Sequence, residues 1–239
     1  ITNLPPKSAH RPAIAPDIGQ RLKRALALCN RFVVSTEPMA RAYGKLCDEV
    51  VIVPNRLEKS RWLGLVAGRR PAGKPRVGWA GAIGHLGDLG ILAQVVEVTA
   101  KEVDWVFLGM CPDALRPFVA EFHPWTPLHD YAAKLASLDL DLAVAPLEHH
   151  PFNEAKSNLR LLEYGVLGYP VLCTNILAYQ GNLPVVRTGN KHRDWVRAIR
   201  DMVADRDACR RAGENLRQAV LRDWMLEDHL DEWKRAWLP

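Results

Sequence analysis

The sequence lacks the features that would place it in several large classes of protein. No apolar run approaches the roughly 20 residues that a membrane-spanning helix needs, and no charged-then-apolar secretory signal opens the chain. The five cysteines show neither the C-x-x-C spacing of metal sites nor a disulfide framework, which predicts a reduced, cytoplasmic protein. There is no tight block of basic residues, so we expect no nucleic acid partner.

Composition and charge are those of an ordinary globular protein. Hydrophobic residues make up 48% of the 239-residue chain and charged residues 25%, enough to build one large domain or two small ones. The net charge of +5 is spread along the chain, which favours a role in solubility, with peripheral association at a membrane surface as an alternative. The chain opens at Ile1, without methionine, on a loop-like segment typical of a piece cut from a longer protein.

Short apolar strands alternate with helical segments along most of the chain. Strands are predicted at 31–35, 49–54, 76–81, 104–109, 140–147 and 170–174, and helices at 17–29, 37–46, 87–100, 112–121, 128–137 and 157–168. This alternation predicts the α/β class, with a Rossmann-like parallel sheet and helices on both of its faces. The Gly-, Pro- and Arg-rich stretch 57–75 is typical of a linker.

The tail from about residue 192 to 237 has a helical pattern that ends in an apolar stripe. Leu226, Leu230, Trp233 and Trp237 recur at helical spacing. We expect this stripe to pack against the body of the same chain, and docking on a partner is the alternative.

A glycine-rich loop follows the predicted strand 76–81. In "GWAGAIGHLGD", Gly81, Gly84 and Gly87 precede a helix, where backbone N–H groups can close on a phosphate. The spacing differs from the G-x-G-x-x-G dinucleotide fingerprint, and no acidic residue ends a second strand downstream, so a nicotinamide cofactor is disfavoured. His85 lies inside this loop, placed to donate a hydrogen bond to a phosphate or sugar oxygen.

A second loop, "HHPFNEAKS", leads into a helix that we predict to begin with Ser157 as its N-cap. Lys156 and the free N–H groups of the first turn form an anion site on general grounds. Two turns further on, Glu163 falls in the middle of an apolar stripe made by Leu159, Val166 and Leu167. Burying an unpaired carboxylate costs several kcal/mol, so Glu163 needs a partner.

This arrangement suits a nucleoside diphosphate. Its phosphates would meet Lys156 and the helix end, while its ribose hydroxyls would donate to Glu163. The alternative is that Glu163 pairs with Arg160 or Lys156 on the surface of the helix.

The segment "EAKSNLRLLEYGVLGYPVLCT" resembles the nucleotide-sugar site of retaining glycosyltransferases of family 4, or group 1, which have the two-domain B-type fold. Glu163 stands at the second glutamate of the family signature, the one that holds the ribose. The first glutamate is replaced by Ala155, with Glu154 beside it as the candidate for a catalytic contact. The stretch also follows the F-N-x-x-K-S-N-x-(K/R)-x-x-E-Y pattern of a subset of bacterial polysaccharide and O-antigen enzymes. There Lys156 faces the phosphates, with Ser157 and Asn158 as neighbours in the substrate site.

The resemblance spans residues 31–225 and implies three segments. Residues 1–53 would be the remnant of the acceptor-side domain, too short to form a sheet of its own. Residues 54–217 would be the Rossmann-like nucleotide-sugar-binding domain. Residues 218–239 would pack back on the remnant.

The resemblance also implies a function for the intact protein. It would transfer a hexose with retention from a nucleoside diphosphate donor to a glycan or lipid-linked acceptor, in surface polysaccharide synthesis at the inner face of the membrane. No cofactor or metal is expected, because basic side chains neutralise the leaving diphosphate. The rest of its own longer chain would be a partner, so we expect this fragment to bind the donor but transfer sugar at a negligible rate. The alternatives are a nucleotide-sugar epimerase on the same fold and an inactive nucleotide-sugar-binding domain.

Other polar residues are weaker candidates. Asp139 and Asp141 resemble an Asp-x-Asp metal motif, but they enter a strand rather than leave it, and we expect no metal there. His149 and His150 are adjacent, so their side chains point to opposite sides and are interpreted as solvated loop residues. Trp125, which follows a strand and a helix, is placed to line a base pocket.

Overall fold

Two parallel sheets carry the fold in a computed structural model that describes residues 4–6, 8, 10–68, 70 and 72–238. The strands are β1 (Arg31–Val34), β2 (Glu49–Ile52), β3 (Arg76–Ala80), β4 (Asp104–Gly109), β5 (Glu121–Pro124), β6 (Leu142–Ala145), β7 (Val171–Thr174) and β8 (Val186–Thr188). The helices are α1 (Ile18–Leu26), α2 (Glu37–Tyr43), α3 (Lys59–Trp62), α4 (Leu86–Gly90), α5 (Ala93–Thr99), α6 (Leu128–Ala136), α7 (Pro151–Glu154), α8 (Leu159–Val166), α9 (His192–Ala204), α10 (Arg206–Asp223) and α11 (Leu230–Trp237). Ile1 and positions 69 and 71 of the predicted linker lie outside the described residues.

The larger sheet has the order β5-β4-β3-β6-β7-β8, and every neighbouring pair is parallel. The chain starts at β3, adds β4 and β5 on one side, then returns to the centre and adds β6, β7 and β8 on the other. This is the strand order of Rossmann-type folds, in which ligands bind at the carboxyl edge where the order reverses. The predicted α/β class and Rossmann-like sheet are confirmed.

Each face of this sheet is covered by helices. Alternate residues of β3, β4 and β6 enter two separate clusters, as the period of two along a strand requires. One cluster contains Val77, Trp79, Trp105, Phe107, Leu142 and Val144, with side chains of α4, α5 and α9. The other contains Ala80, Val106, Leu108, Ala143 and Ala145, with side chains of α6, α8 and α10. Burial on both faces is why these strands read as continuous apolar runs.

The smaller sheet corrects one expectation. The segment 1–53 was expected to be too short to form a sheet, but β1 and β2 pair in parallel with Val33 opposite Val51. The crossover through α2 is long enough to bring them side by side. The smaller sheet lies close to the rest of the chain, since the Thr36 hydroxyl donates a 2.8 Å hydrogen bond to the carbonyl of Ala155.

One predicted helix was wrong, the predicted linker was right only in part, and two strands were missed. The helix expected at 112–121 is a 3-10 turn over Asp113–Phe118 followed by β5, because Pro117 cannot continue an α-helix. The short strands β5 and β8 were not predicted. The stretch 57–75 is only partly a linker, since it begins with α3, where Trp62 is 4% exposed.

The tail is broken rather than continuous. It bends at Asp205, whose side chain accepts a hydrogen bond from the N–H of Ala208, and again between α10 and α11. The predicted stripe is wrong in part, because Leu230 and Trp237 are exposed and Ala236 is the buried residue of α11. None of the helices in the described residues combines the length and the hydropathy that a membrane span requires.

Polar contacts join α11 to the rest of the chain. The Arg31 guanidinium of β1 donates to the carbonyls of Arg235, Ala236 and Leu238. Arg56 pairs with Glu232 at 2.9 Å. The predicted boundary after residue 217 lies inside α10, and the three-segment division stays a prediction.

Candidate functional site

The candidate site lies at the carboxyl ends of β3 and β6, and two pockets there share the glycine-rich loop that follows β3. The Glu163 pocket has a volume of about 240 Å³ and is lined by Gly81, Ala82, Leu108, Gly109, Trp125, Thr126, Leu128, Tyr131, Arg160 and Glu163. The glycine-loop pocket has a volume of about 180 Å³ and is lined by Leu4, Pro5, Ser8, His10, Gly84, His85, Gly87, Asp88, Glu148, Phe152, Asn153 and Lys156.

Glu163 lines its pocket and is mostly buried, with 15% of its side chain exposed. Its Oε2 accepts a 3.2 Å hydrogen bond from the Tyr131 hydroxyl and lies 3.7 Å from Nε of Arg160. Burial raises the pKa of Glu163, more than the charge of Arg160 and the Tyr131 hydrogen bond lower it. Its other oxygen, Oε1, has no hydrogen-bond partner among the described residues. That oxygen is left to accept from a ligand hydroxyl.

The pair with Arg160 forms, but not on the surface of the helix. Both side chains are mostly buried, so Glu163 is not the unpaired carboxylate that its apolar neighbours suggested. Burial disfavours the charge of Arg160, but Tyr131, Tyr164 and Glu163 outweigh it and raise the pKa of the guanidinium. One guanidinium nitrogen, Nη1, is buried without a partner in the described part of the chain. A buried donor of this kind favours an anionic or hydroxylated ligand.

The start of α8 differs from the prediction. The residue before the helix is Asn158, and Ser157 is not the N-cap. The Ser157 hydroxyl instead accepts a 2.9 Å hydrogen bond from Nδ2 of Asn55. The hydroxyl is thus used in a tertiary contact, and the sequence alone does not show that Asn55 is its partner.

Asp88 is the centre of the glycine-loop pocket. The residue is 3% exposed, and its Oδ1 accepts hydrogen bonds from the N–H of Glu148 at 2.8 Å and from Nδ2 of Asn153 at 3.1 Å. Its Oδ2 faces Nδ1 of His85 at 2.8 Å and Nζ of Lys156 at 3.6 Å. Burial alone would raise the pKa of Asp88, but His85, Lys156 and the N–H of Glu148 together hold it below its ordinary value. Asp88 is therefore a carboxylate that organises the groups around it.

Lys156 and His85 are both desolvated in this pocket. Burial lowers the pKa of Lys156 more than the nearby Asp88 raises it, and its Nζ lies 5.5 Å from the centre of the Phe152 ring. Burial also lowers the pKa of His85 despite the bond to Asp88, which leaves the imidazole neutral near pH 7. A lysine with few partners beside an open pocket is a good anion ligand.

The structure distributes the predicted site residues over three places. Gly81 and Glu163 line the Glu163 pocket, while Gly84, His85 and Lys156 line the glycine-loop pocket. Glu154, Ser157 and Asn158 line a third cleft, which faces Glu37 and Arg41 of α2 and into which Lys156 also extends. Glu154 is thus separate from both pockets at the strand ends.

Sequence reasoning missed several residues of the site. Asp88 and Asn153 were not singled out, although Asn153 belongs to the quoted F-N-x-x-K stretch. Tyr131 was not predicted, and Arg160 appeared only as an alternative partner of Glu163. Gly109 is required for a steric reason, since its φ is +95° and a Cβ there would meet the carbonyl oxygen of Gly81.

The weaker candidates are placed as follows. Trp125 is 69% exposed at the rim of the Glu163 pocket. Asp141 is buried and accepts from the N–H of Arg76 at 2.8 Å, a structural role. His149 is exposed, but His150 is not simply solvated, because its Nδ1 accepts from the N–H of Phe152 at the start of α7. The described residues contain no group of three side chains that could hold a metal ion.

No family model and no curated protein matches this sequence. Solved structures do match the fold. TarM aligns with a TM-score of 0.65 at 14% identity, over 92% of this chain and 46% of its own. Sucrose-phosphate synthase from Thermosynechococcus elongatus gives 0.67 at 16% identity, over 96% and 65%. Anabaena Alr3699/HepE in complex with UDP gives 0.67 at 11% identity, over 96% and 70%.

At these identities the likeness concerns the fold. The chain spans about half of the length of TarM and about two thirds of the length of the synthase. It also aligns over 93% of its length with a glycosyltransferase from Rickettsia africae, with a TM-score of 0.64. The chain therefore has the α/β fold of part of a B-type glycosyltransferase, with a Rossmann-like six-stranded parallel sheet.

Proposed function

We propose that this chain binds a nucleoside diphosphate sugar and belongs to a glycosyltransferase. The observation that carries the proposal is the pairing of two pockets across one glycine-rich loop at the point where the strand order reverses. One pocket ends in a buried carboxylate, Glu163, and the other presents the desolvated amine of Lys156. A ligand with hydroxyls at one end and a diphosphate in the middle satisfies both groups.

We assign each part of the donor to the side chains that have atoms available to bind it. Ribose hydroxyls would donate to Oε1 of Glu163, while the exposed ring of Trp125 would flank the base. The diphosphate would cross the loop at Gly81 towards Lys156, with the guanidinium of Arg160, which lines the Glu163 pocket, and the first turn of α8 as further donors.

In the transfer step these groups would act electrostatically. Negative charge develops on the departing diphosphate, and the cations of Lys156 and Arg160 are already in place to stabilise it. No metal or cofactor is needed in this scheme. The sugar would pass with retention to a glycan or lipid-linked acceptor in surface polysaccharide synthesis. Glu154 is the candidate catalytic residue if the acceptor enters the third cleft, which it lines beside α2.

Structural neighbours support the choice of ligand class. HepE was crystallised with UDP, with UDP-glucose, and with UDP and glucose, and a TarM mutant was crystallised with UDP. The remainder of a longer chain is proposed as the partner that positions the acceptor. We propose that the whole acts in the cytoplasm, with peripheral association at the membrane that carries a lipid-linked acceptor.

A nucleotide-sugar epimerase is the second candidate, favoured by the His85–Asp88 pair beside the proposed diphosphate position. Such a pair can move protons without an acceptor. A binding domain without catalytic activity is the third.

The proposal is tested by titrating the chain with UDP, ADP and GDP, followed by incubation with the corresponding hexose conjugate. Binding of one diphosphate without conversion of the sugar is the result that we expect for this chain alone. Epimerised sugar without acceptor would instead assign the epimerase, and an absence of binding to all three diphosphates would contradict the proposed site.

A further inference from the structure

We propose that His85 reads the donor sugar, accepting a hydrogen bond at Nε2 from one sugar hydroxyl while Asp88 holds its Nδ1–H. This inference rests on the proposed function and reverses the hydrogen-bond direction expected from the sequence. His85 would determine specificity for the sugar, and Asp88 would position the imidazole.

Asp88 is ionised in this pocket. A carboxylate that accepts the Glu148 N–H and an Asn153 amide, with a lysine amine beside it, is held in its ionised form. An ionised carboxylate only accepts hydrogen bonds. The 2.8 Å contact between Oδ2 of Asp88 and Nδ1 of His85 therefore requires the proton to lie on Nδ1.

The His85 imidazole carries no charge in this pocket. The cations of Lys156 and Arg160 oppose a positive charge on His85, and burial opposes it further. Glu148 and His10 line the same pocket, and the rings of His85 and Trp79 form a T-shaped pair with centroids 6.3 Å apart. The imidazole is therefore neutral, and a neutral ring with its proton on Nδ1 has a lone pair on Nε2.

The lone pair on Nε2 of His85 is free to bind a hydrogen-bond donor of the ligand. Nε2 has no hydrogen-bond partner among the residues that the structure describes, and the His85 side chain, which lines the pocket, is 27% exposed. A phosphate oxygen near pH 7 offers only lone pairs, so it is a poor partner for another lone pair. A sugar hydroxyl supplies the missing proton. His85 lines the pocket that also contains Lys156, so it would stand next to the point at which the transferred sugar leaves the proposed diphosphate.

The chain offers a pair of variants that separate the two nitrogens. In His85→Asn the amide nitrogen stands near the place of Nδ1, which keeps a donor for Asp88 and removes Nε2. In His85→Gln the amide oxygen can reach the place of Nε2, which keeps an acceptor and gives up the bond to Asp88. His129, exposed on α6, provides the matched control His129→Asn.

Calorimetry with UDP and UDP-glucose gives the decisive quantity, the ratio of their two dissociation constants. We expect His85→Asn to bind UDP within about twofold of the unsubstituted protein and to lose about three- to tenfold in affinity for UDP-glucose. His85→Gln should keep part of that preference, and His129→Asn all of it. Among UDP-deoxyglucoses, one should bind the unsubstituted protein as weakly as UDP-glucose binds His85→Asn, with no further loss in the variant.

The outcomes separate this inference from the proposed function. If no nucleoside diphosphate binds, the proposed function fails and the inference falls with it. If UDP binds but His85→Asn weakens UDP and UDP-glucose equally, His85 contacts phosphate and the inference alone is overturned. A ¹⁵N spectrum of the complex that shows a proton on Nε2 of His85 would also overturn it, and a lone pair there supports it.

Discussion

The hydroxyl of Tyr164 accepts a 2.8 Å hydrogen bond from the backbone N–H of Ala80, joining α8 to the end of β3. Both residues are fully buried. Because Glu163 precedes Tyr164 and Gly81 follows Ala80, this bond holds the carboxylate of Glu163 close to the glycine-rich loop.

Replacing that hydroxyl should therefore disturb both stability and the site. Tyr164→Phe leaves the Ala80 N–H buried without a partner, which should lower the free energy of unfolding by about 1–3 kcal/mol. It should also weaken nucleoside diphosphate binding. Tyr169→Phe is the control, because the Tyr169 hydroxyl bonds the carbonyls of Leu135 and Ala136 at the far end of α6. Urea denaturation and calorimetry should show both effects in Tyr164→Phe and only the loss of stability in Tyr169→Phe.

Glu163→Gln tests the ribose contact. The variant should weaken nucleoside diphosphate binding by about 1.5–3 kcal/mol, the range for a hydrogen bond to a charged group. Removing an unpaired buried carboxylate would make the empty protein more stable, but Glu163 is paired with Arg160, so the variant should be less stable because that guanidinium loses its carboxylate. Glu97→Gln, at an exposed position of α5, is the control. Unchanged affinity in Glu163→Gln, measured by calorimetry, would end the ribose assignment.

Lys156→Ala tests whether Lys156 contacts the diphosphate, because it should lower the affinity for UDP much more than the affinity for uridine. Affinity for UDP should fall well below that of the unsubstituted protein, while affinity for uridine should change little, since only UDP carries the charge that Lys156 meets. Removing Lys156 should also raise the pKa of Asp88, because one of the groups that lower it is lost. Lys101→Ala, in an exposed turn, is the control. Equal losses for the two ligands would mean that Lys156 serves only the structure.

The pair of Arg76 and Glu121 should govern stability in acid. Arg76 bonds both carboxylate oxygens of Glu121, at 2.7 and 2.9 Å, across the intervening β4. This hydrogen bonding lowers the pKa of Glu121 from 4.5 to about 2. A carboxyl with a lowered pKa in the folded state stabilises the protein above pH 4.5, and that stabilisation is lost as the pH falls towards 2. In urea titrations, Glu121→Gln should be less stable near neutral pH and show a shallower loss between about pH 5 and pH 2. An identical slope in both proteins would contradict the assignment.

The contacts of α11 predict how the smaller sheet is held. Deleting 230–239 removes the carbonyls that Arg31 bonds and the partner of Arg56. The cut spares α10, where Val220 is part of the core, and leaves the bridge between Leu57 and Met225 in place. Limited proteolysis should then cleave the segment before residue 54 faster, with the large sheet still intact. Cleavage at an unchanged rate would show that α11 does not hold the smaller sheet.

The large sheet was predictable because its central strands have a clear sequence pattern. β3, β4, β6 and β7 are buried on both faces and read as short apolar runs between helices. β5 was not predictable in the same way, since it is an edge strand of half-exposed residues that contains His123 and Pro124. β8 is a three-residue edge strand and lacks an apolar pattern altogether.

The site shows a similar division. Glu163 and Lys156 could be singled out because a charge beside apolar residues, or at a helix start, conflicts with its local pattern. Asp88 gave no such signal, because its partners Glu148 and Asn153 lie about 60 residues away along the chain. The choice of Ser157 as N-cap failed for the same reason, since Asn55 comes from a distant segment.

The most direct test of the central claim is a crystal soaked with UDP. The account predicts that the ribose hydroxyls bond Oε1 of Glu163 and that the diphosphate crosses the glycine-rich loop towards Lys156. UDP bound away from both pockets, or a crystal that takes up no UDP at a concentration saturating in solution, would contradict it.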